Sequence, residues 1–194
     1  MFFSIQCRDV GQNRNFEEVV FMRDKNLRIM VEVSLLVAAA VLLSFLKLFQ
    51  MPQGGSVSLE MLPIFILAFR HGGKIGILGG ALLGVVKLLI SPYIIHPIQL
   101  LLDYPVPFMM LGVAGFGILR KHRELGVAVG SLLRCITHVV AGVVFFAEYA
   151  PEGTPALVYS LGYNASYLIP EAILVAVVIL LLRKRREIFE PQYR

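Results

Sequence analysis

The sequence has no tryptophan, only two cysteines, and few charged residues for its length. Charged side chains make up 16% of its 194 residues and hydrophobic ones 57%, whereas soluble domains average about 25% and about 45–50%. Cys7 and Cys135 show neither disulfide pairing nor the spacing of a metal site. The composition therefore indicates an integral membrane protein of one domain, without a cysteine-bound metal.

Motifs for catalysis and for nucleotide hydrolysis are also absent from the sequence. It has no HExxH metal motif and no nucleophile elbow. The run HGGK at 71–74 is not a P-loop, because Ala68 replaces the first glycine and Ile75 follows the lysine. We therefore expect a protein that is not an enzyme and has no cofactor. If it transports a substrate, the energy must come from elsewhere. The alternative is an intramembrane enzyme with His138 and Asp103 as acid and base, which predicts turnover by the purified chain.

Six apolar segments can be drawn along the chain, and they predict an all-α integral membrane protein. They lie at about 27–49, 59–69, 75–90, 98–119, 125–146 and 157–182. Because a membrane span normally takes about 20 residues, the second and third segments are short. Either they are helices shielded by their neighbours, or they extend into the flanking glycine-rich sequence.

Lysine and arginine are missing from alternate links between these segments. Links 50–58, 91–97 and 147–155 contain neither, whereas the termini and the other links carry Arg23, Lys25, Arg28, Arg70, Lys74, Arg120, Lys121, Arg123 and the basic run 183–186. By the positive-inside rule, this alternation predicts six transmembrane helices with both termini in the cytoplasm. These flanks account for the net charge of +5, so no nucleic-acid partner is expected.

The first 21 residues differ from the rest of the chain. They have no apolar core or cleavage site of a signal peptide, and Glu17-Glu18-Val19 can be encoded by a ribosome-binding-like run just before Met22. We expect a non-native or disordered extension at 1–21, with Met22 as the true start. A membrane domain at 22–186 and a cytoplasmic tail at 187–194 are expected to follow.

Polar and aromatic residues of the last two segments form one candidate binding face. His138, Gly142 and Phe146 are spaced by four and share a helix face. Tyr159 and Asn164 follow a turn-rich loop, and both face one site only if Tyr159 lies in the loop or the first helical turn. The alternative is a scaffold role, in which His138 and Asn164 make interhelical hydrogen bonds and Gly142 lets helices pack.

Asp103 and Tyr104 lie at a similar depth, near the outer end of the fourth segment. An ionisable group inside a membrane segment is costly and usually functional. The alternative is an interfacial residue at a helix start, because Pro97 and Pro105 break the local helix. We expect Asp103 to take part in binding.

Other polar and small residues are expected to belong to the scaffold. Glycines spaced by four, from Gly76 through Gly80 to Gly84, predict a face for close helix packing. Lys87 is expected to extend its ammonium group to the outer surface. Arg134 and Glu171 lie deeper and at comparable depth, which predicts an ion pair between the last two segments.

Three blocks of sequence, at 51–89, 99–116 and 138–164, carry a resemblance to a known family. In order and spacing they resemble the thiamine-specific S component of energy-coupling-factor (ECF) transporters, over nearly all of 22–182. The resemblance implies a six-helix bundle in the prokaryotic plasma membrane that binds thiamine with high affinity at the outer side. It also implies partners: an energising module made of a membrane coupling protein and two cytoplasmic ATPases.

The resemblance implies site residues as well. The substrate-binding set is Asp103, Tyr104, His138, Gly142, Phe146, Tyr159 and Asn164. A lid over the site would comprise Gln53, Gly54, Gly55, Ser56, Val57 and Ser58. A small-residue face on the first helix, at Ser34 and Ala38, would contact the coupling protein. Some relatives have Glu at position 103 and Trp at position 146.

Thiamine chemistry agrees with this set. Its thiazolium ring is a permanent cation, which suits a carboxylate and aromatic faces, and its aminopyrimidine suits amide and imidazole groups. We expect Asp103 to balance the cation, with Phe146 and a tyrosine stacking on the ligand. Which group meets which ring stays open, as do affinity, the acceptance of thiamine phosphates and the identity of the partner module. An S component or stand-alone carrier for another vitamin, such as riboflavin, is the alternative.

Overall fold

A bundle of apolar helices forms the protein. The computed structural model describes residues 6–52 and 54–191, with side chains described from Lys25 onward. Its helices are α1 (Gln6–Phe45), α2 (Met61–His71), α3 (Gly73–Ile90), α4 (Pro97–Asp103), α5 (Pro105–Leu111), α6 (Gly117–Lys121), α7 (Arg123–Phe145), α8 (Ala156–Leu182) and α9 (Arg186–Phe189). Between α1 and α2, the strands β1 (Phe49–Gln50) and β2 (Ser56–Val57) pair as an antiparallel hairpin.

Five stretches within the described residues are long and apolar enough to cross a membrane. They are Lys25–Phe45, Gly73–Ile90, Pro97–Gly115, Arg123–Phe145 and Ala156–Leu182. The prediction of a multi-pass, all-α membrane protein is therefore confirmed. Helix α2 has only 11 residues, so the sixth span stays a prediction, as does the cytoplasmic placement of both termini.

The short helix α2 lies at the centre of the bundle. Met61, Ile64, Phe65 and Leu67 have no exposed surface, because α1, α3 and α5 pack around them. A helix that is apolar on all sides needs such an enclosure. The structure thus favours shielding by neighbours, rather than an extended span, for the second apolar segment.

The fourth apolar segment is not one continuous helix. It divides at Tyr104, whose φ of −114° and ψ of −80° lie outside the helical region, and again at a 3₁₀ turn, Gly112–Gly115. Proline lacks the backbone N–H that a continuing helix needs, and it disfavours helical geometry in the preceding residue. Pro105 therefore ends α4 at Asp103, as the expected break indicates, and the fourth segment forms the candidate span Pro97–Gly115 as an interrupted helix.

Glycines on α3 let it approach α5 closely, as predicted. A Cβ atom at Gly80 would lie 2.1 Å from the carbonyl oxygen of Phe108, and one at Gly84 would lie 2.5 Å from that of Tyr104. Gly76 packs in the same way against Ala68 of α2. Larger residues at these positions would push the helices apart and displace the break at Tyr104.

A buried network of charged side chains joins four elements of the bundle. Arg134 of α7 lies 2.9 Å from Glu60 and 3.5 Å from Glu171 of α8, which confirms the predicted contact between Arg134 and Glu171. Lys87 of α3 lies 2.8 Å from Glu60, so the prediction that it reaches the outer surface is wrong. Ser58 donates to Glu171 at 3.2 Å. Opposite charges offset the large desolvation penalty of each group.

The links gather at opposite ends of the bundle according to their charge. Residues of the three links without Lys or Arg surround one cavity. At the other end, Arg70 lies 2.6 Å from Glu32, and Arg120 donates to the carbonyl oxygens of Phe69 and Arg70. The links with and without Lys or Arg therefore lie at opposite ends of the bundle, as the alternation predicts. The side of the membrane that each end faces stays a prediction.

The predicted domain boundaries involve the two ends of the chain. Residues 1–5 and 192–194 and the side chains of 6–24 lie outside the described part, so the expected start at Met22 and the extension at 1–21 stay predictions. Within the expected tail, Phe189 is buried and packs against Phe69, with ring centroids 6.3 Å apart.

On α1, Ser34 and Ala38 are both exposed.

Candidate functional site

One cavity of about 660 Å³ lies at the end of the bundle where the three links without Lys or Arg meet. Its volume is within the range of pockets that enclose a small organic ligand. The structure brings together around it all seven residues of the predicted substrate-binding set: Asp103, Tyr104, His138, Gly142, Phe146, Tyr159 and Asn164. They come from α4, the break before α5, α7 with its C-cap, and the first turns of α8.

Asp103 is the only acidic residue among the described residues that line the cavity, and no lysine or arginine lines it. One carboxylate oxygen accepts a hydrogen bond from Gln99 Nε2 at 2.6 Å. The other lies 3.5 Å from Nδ1 of His138. The cavity therefore carries one fixed negative charge that has no cationic side chain lining the same space.

His138 has an unsatisfied ring nitrogen. Its Nε2 atom is buried and has no hydrogen-bond partner among the described residues, while Nδ1 faces Asp103. A buried polar atom without a partner is costly, and a ligand in the cavity can supply that partner. The position of His138 in the apolar interior of α7 fits this role.

Aromatic side chains form a large part of the cavity wall. Six tyrosines and Phe146 line it. The rings of Tyr93 and Phe146 are stacked with centroids 6.1 Å apart, and Phe146 lies at the same distance from Tyr149. Tyr159, Tyr163 and Tyr167 follow one another along α8 at 6.1 Å steps. Such π faces attract organic cations.

Several of these tyrosines were not among the predicted site residues. Tyr163 and Tyr167 continue the four-residue spacing that starts at Tyr159, so helical periodicity could have found them. Tyr93 lies in an irregular link and Tyr149 ends a 3₁₀ turn, Ala147–Tyr149, so no helical periodicity marks either of them. Gln99 also lines the cavity, and its spacing of four before Asp103 was the available signal.

The hydroxyl of Tyr104 is used within the protein. It accepts from the backbone N–H of Tyr93 and donates to the carbonyl oxygen of Ser91, both at 2.8 Å. Tyr104 therefore holds the 91–97 link against the break between α4 and α5. What it can offer to a ligand is its ring.

Asn164 makes its hydrogen bonds within α8 and not between helices. Its Nδ2 donates to the carbonyl oxygen of Ser160 at 2.9 Å, and its Oδ1 accepts from the hydroxyl of Tyr167 at 2.9 Å. Tyr159 lies in the first turn of α8, which is the condition under which both residues face one site. Asn164 Oδ1 can still accept a second hydrogen bond.

Gly142 allows α7 and α8 to pack closely. A Cβ atom there would lie 2.1 Å from Oγ of Ser160 and 3.0 Å from its Cβ. Of the two interpretations of this glycine, the structure supports helix packing directly. The contact also sets the distance between His138 on α7 and Asn164 on α8.

We expect Gly142→Ala to lower the thermal stability of the detergent-purified protein, because the added methyl overlaps Ser160. Gly162→Ala is the matched control, since nothing lies within 4 Å of a Cβ at that position; it should leave stability unchanged or raise it slightly, by about 1 kcal/mol or less. Adding Ser160→Ala should partly restore the Gly142→Ala protein. Equal melting temperatures for both glycine variants would contradict the packing role.

The predicted lid segment forms the tip and second strand of the β1–β2 hairpin. Gly54 and Gly55 line the cavity with Pro52, and both have positive φ, at 95° and 75°. The hydroxyl of Tyr163 donates to the Gly54 carbonyl oxygen at 2.6 Å. Gln53 lies outside the described residues, while Ser56, Val57 and Ser58 lead from the tip back into the bundle. The role of this segment as a lid stays a prediction.

No three His, Cys, Asp or Glu side chains within the described part of the chain lie close enough together to hold a metal ion. The described residues around the cavity include aromatic rings, amide groups, an imidazole and one carboxylate. This donor set suits a flat organic molecule with a positive charge.

The fold and the cavity define a multi-pass membrane protein of the transporter class. The family model described as "Thiamine transporter protein (Thia_YuaJ)" matches residues 30–190, and the chain belongs to this family. The family consists of transporters and not enzymes, so the chain is a transport protein without catalytic activity of its own.

Individual relatives agree with this assignment. The thiamine transporter ThiT of Bacillus subtilis is 42% identical over 177 residues, which cover 82% of this chain and 92% of the relative. ThiT of Lacticaseibacillus paracasei is 27% identical over 173 residues, covering 80% and 86%. The solved structure of ThiT from Listeria monocytogenes matches with a TM-score of 0.74 and 27% identity, covering 86% of this chain and all of that one.

Proposed function

We propose that the chain is the substrate-binding S component of an ECF-type transporter, and that it binds thiamine with high affinity in the cavity. The observation that carries this proposal is the composition of the cavity wall, where the described residues include one carboxylate, no lysine or arginine, and the rings of six tyrosines and Phe146. The relatives named as thiamine transporters support the choice of ligand.

Asp103 is the proposed counter-charge for the thiazolium ring. Two opposite unit charges about 4 Å apart attract by about 4 kcal/mol at the effective dielectric constant of about 20 found near protein surfaces. Phe146 and the tyrosines beside it add cation–π attraction, which is weaker for phenyl and phenol rings than for indole. A cavity without tryptophan therefore depends more strongly on its carboxylate.

The aminopyrimidine is proposed to meet the polar groups of α7 and α8. Nε2 of His138 has no partner among the described residues, and Asn164 Oδ1 has a lone pair left beside its bond from Tyr167. These two atoms come from neighbouring helices held together at Gly142 and Ser160. Because Nδ1 of His138 faces a carboxylate, that nitrogen carries the proton, and Nε2 is an acceptor like Asn164 Oδ1. The two N–H groups of the ligand's exocyclic amine would satisfy them.

The remaining parts of the proposal concern the membrane and the partners. We propose six spans in the plasma membrane, both termini in the cytoplasm, and an outward-facing cavity under the hairpin tip. The exposed residues Ser34 and Ala38 are the proposed contact with the coupling protein. ATP hydrolysis is assigned to the partner module, because the sequence has no P-loop.

Equilibrium titration of the detergent-purified chain with thiamine tests the function, with riboflavin as the control ligand. We expect saturable thiamine binding well below micromolar, no binding of riboflavin, and no turnover of either compound. Absence of saturable thiamine binding below micromolar would overturn the proposal. Tighter riboflavin binding would instead support an S component for another vitamin.

A further inference from the structure

Gln99 is a buried amide that connects two parts of the cavity wall. Only 1% of its surface is exposed, and it lies on α4 one turn before Asp103. Its Nε2 donates to Asp103 Oδ2 at 2.6 Å and to the Tyr93 carbonyl oxygen at 3.1 Å. Its Oε1 accepts from the backbone N–H of Ile95 at 3.2 Å.

These partners fix the orientation of the amide. A carboxylate and a carbonyl oxygen can only accept, so both must face Nε2, while the backbone N–H of Ile95 must face Oε1. Both amide protons of Gln99 are thereby used, and none is left for a ligand. An amide group is planar, so the carboxylate of Asp103 and the 91–97 link are held in a fixed relation to each other.

Two features of the cavity depend on this arrangement. With Oδ2 of Asp103 held by Gln99, the second oxygen lies toward His138 at 3.5 Å. With its backbone carbonyl held by Gln99, Tyr93 places its ring in a stack with Phe146, at 6.1 Å between centroids. One side chain therefore orients both the single negative charge of the cavity and one of its aromatic walls.

We propose that Gln99 is a positioning residue for ligand binding, which acts through Asp103 and Tyr93 and makes no polar contact with the ligand itself. Glutamate at position 99 would lose both donors, and asparagine is one methylene too short to keep all three bonds. A purely structural role would lower stability without distinguishing between charged and neutral ligands. This inference rests on the proposed function for its ligand, while its effect on the 91–97 link is independent of any ligand.

The test is a double-mutant cycle on thiamine affinity with Q99L, D103N and the double variant, all as full-length purified protein. We expect Q99L to weaken thiamine binding about tenfold or more, the range for losing a hydrogen bond to a charged group. In the D103N background, Q99L should weaken thiamine binding only about threefold or less. A neutral pyrimidine alcohol should be affected less than thiamine. Ser131→Ala is the control, because Ser131 is buried and polar but does not line the cavity.

Hydrogen–deuterium exchange without ligand supplies a second readout. Q99L should speed exchange in the peptide that contains Ile95, whose N–H bonds to Gln99, and Ser131→Ala should not. If Q99L does not yield folded protein, Q99N replaces it in both measurements, with the same expected directions.

The outcomes separate this inference from the proposed function. If the parent chain does not bind thiamine, the function fails, and the exchange measurement alone decides the role of Gln99. Thiamine affinity in Q99L within about twofold of the parent would overturn the inference, as would an equal loss in the D103N background. Unchanged hydrogen exchange at residues 91–96 in Q99L would overturn the claim that Gln99 holds the 91–97 link.

Discussion

Asp103→Asn is expected to weaken thiamine binding by about 100-fold or more. The substitution keeps the size and a polar character but removes the only negative charge among the described lining residues. An attraction of about 4 kcal/mol between charges about 4 Å apart corresponds to a factor of about a thousand in affinity. Solvent in the open cavity screens part of this attraction, so the expected loss is smaller. Isothermal titration of the purified variant measures the loss.

The charge role of Asp103 is separated from a hydrogen-bonding role by a neutral ligand. The affinity for a pyrimidine alcohol that lacks the thiazolium ring should fall only about threefold or less on Asp103→Asn. Glu152→Gln is the matched control, because Glu152 is an exposed acid in the 147–155 link and does not line the cavity. Equal losses for thiamine and the neutral fragment would assign Asp103 to the pyrimidine ring and refute its role as counter-charge.

Arg134→Leu is expected to cause the largest loss of stability. Arg134 lies between Glu60 and Glu171, and its guanidinium group lies 4.5 Å from the ring centroid of Phe108. Its removal leaves Glu171 buried without a cation and Glu60 with Lys87 alone, and breaking a buried ion pair costs about 3–5 kcal/mol. For a protein of this size, that corresponds to a fall in melting temperature of about 10 °C or more.

The control for this prediction is Arg183→Leu at a surface ion pair. Arg183 and Glu124 are 4.0 Å apart with 63% and 49% of their side chains exposed, and such pairs contribute about 0–1 kcal/mol. Thermal unfolding in one detergent compares both variants. A cycle with Glu171→Gln then measures the coupling between Arg134 and Glu171. Additive losses in that cycle would reject their pairing, and equal melting temperatures for the two leucine variants would reject the network.

Residues that helical periodicity or polarity marks could be predicted from the sequence. His138 and Phe146 repeat at the helical period, and Asp103 is an acid within apolar sequence, so the sequence alone indicates each of them as a site residue. Pro105 indicates the break beside Asp103, because a proline cannot continue a helix. The apolar segments and the charge of their links indicated the bundle for the same reason, since both patterns follow from burial in lipid.

Contacts between distant parts of the chain could not be predicted in this way. Glu60 pairs with Lys87 and Arg134, yet nothing in its local sequence indicates a buried acid. Tyr93 reaches the cavity only because Gln99 and Tyr104 hold its link from α4 and the adjoining break. Such contacts depend on how the helices pack. That packing is set by close approaches between helices, such as that of Gly80 on α3 to the backbone of Phe108 on α5.

A structure of the purified chain with thiamine tests the central claim most directly. Ligand density is predicted in the cavity, with the thiazolium ring near Asp103 and the rings of Phe146 and its tyrosine neighbours. The aminopyrimidine should lie within hydrogen-bond distance of His138 Nε2. Thiamine bound elsewhere on the chain, with this cavity empty at saturating ligand, would contradict the account.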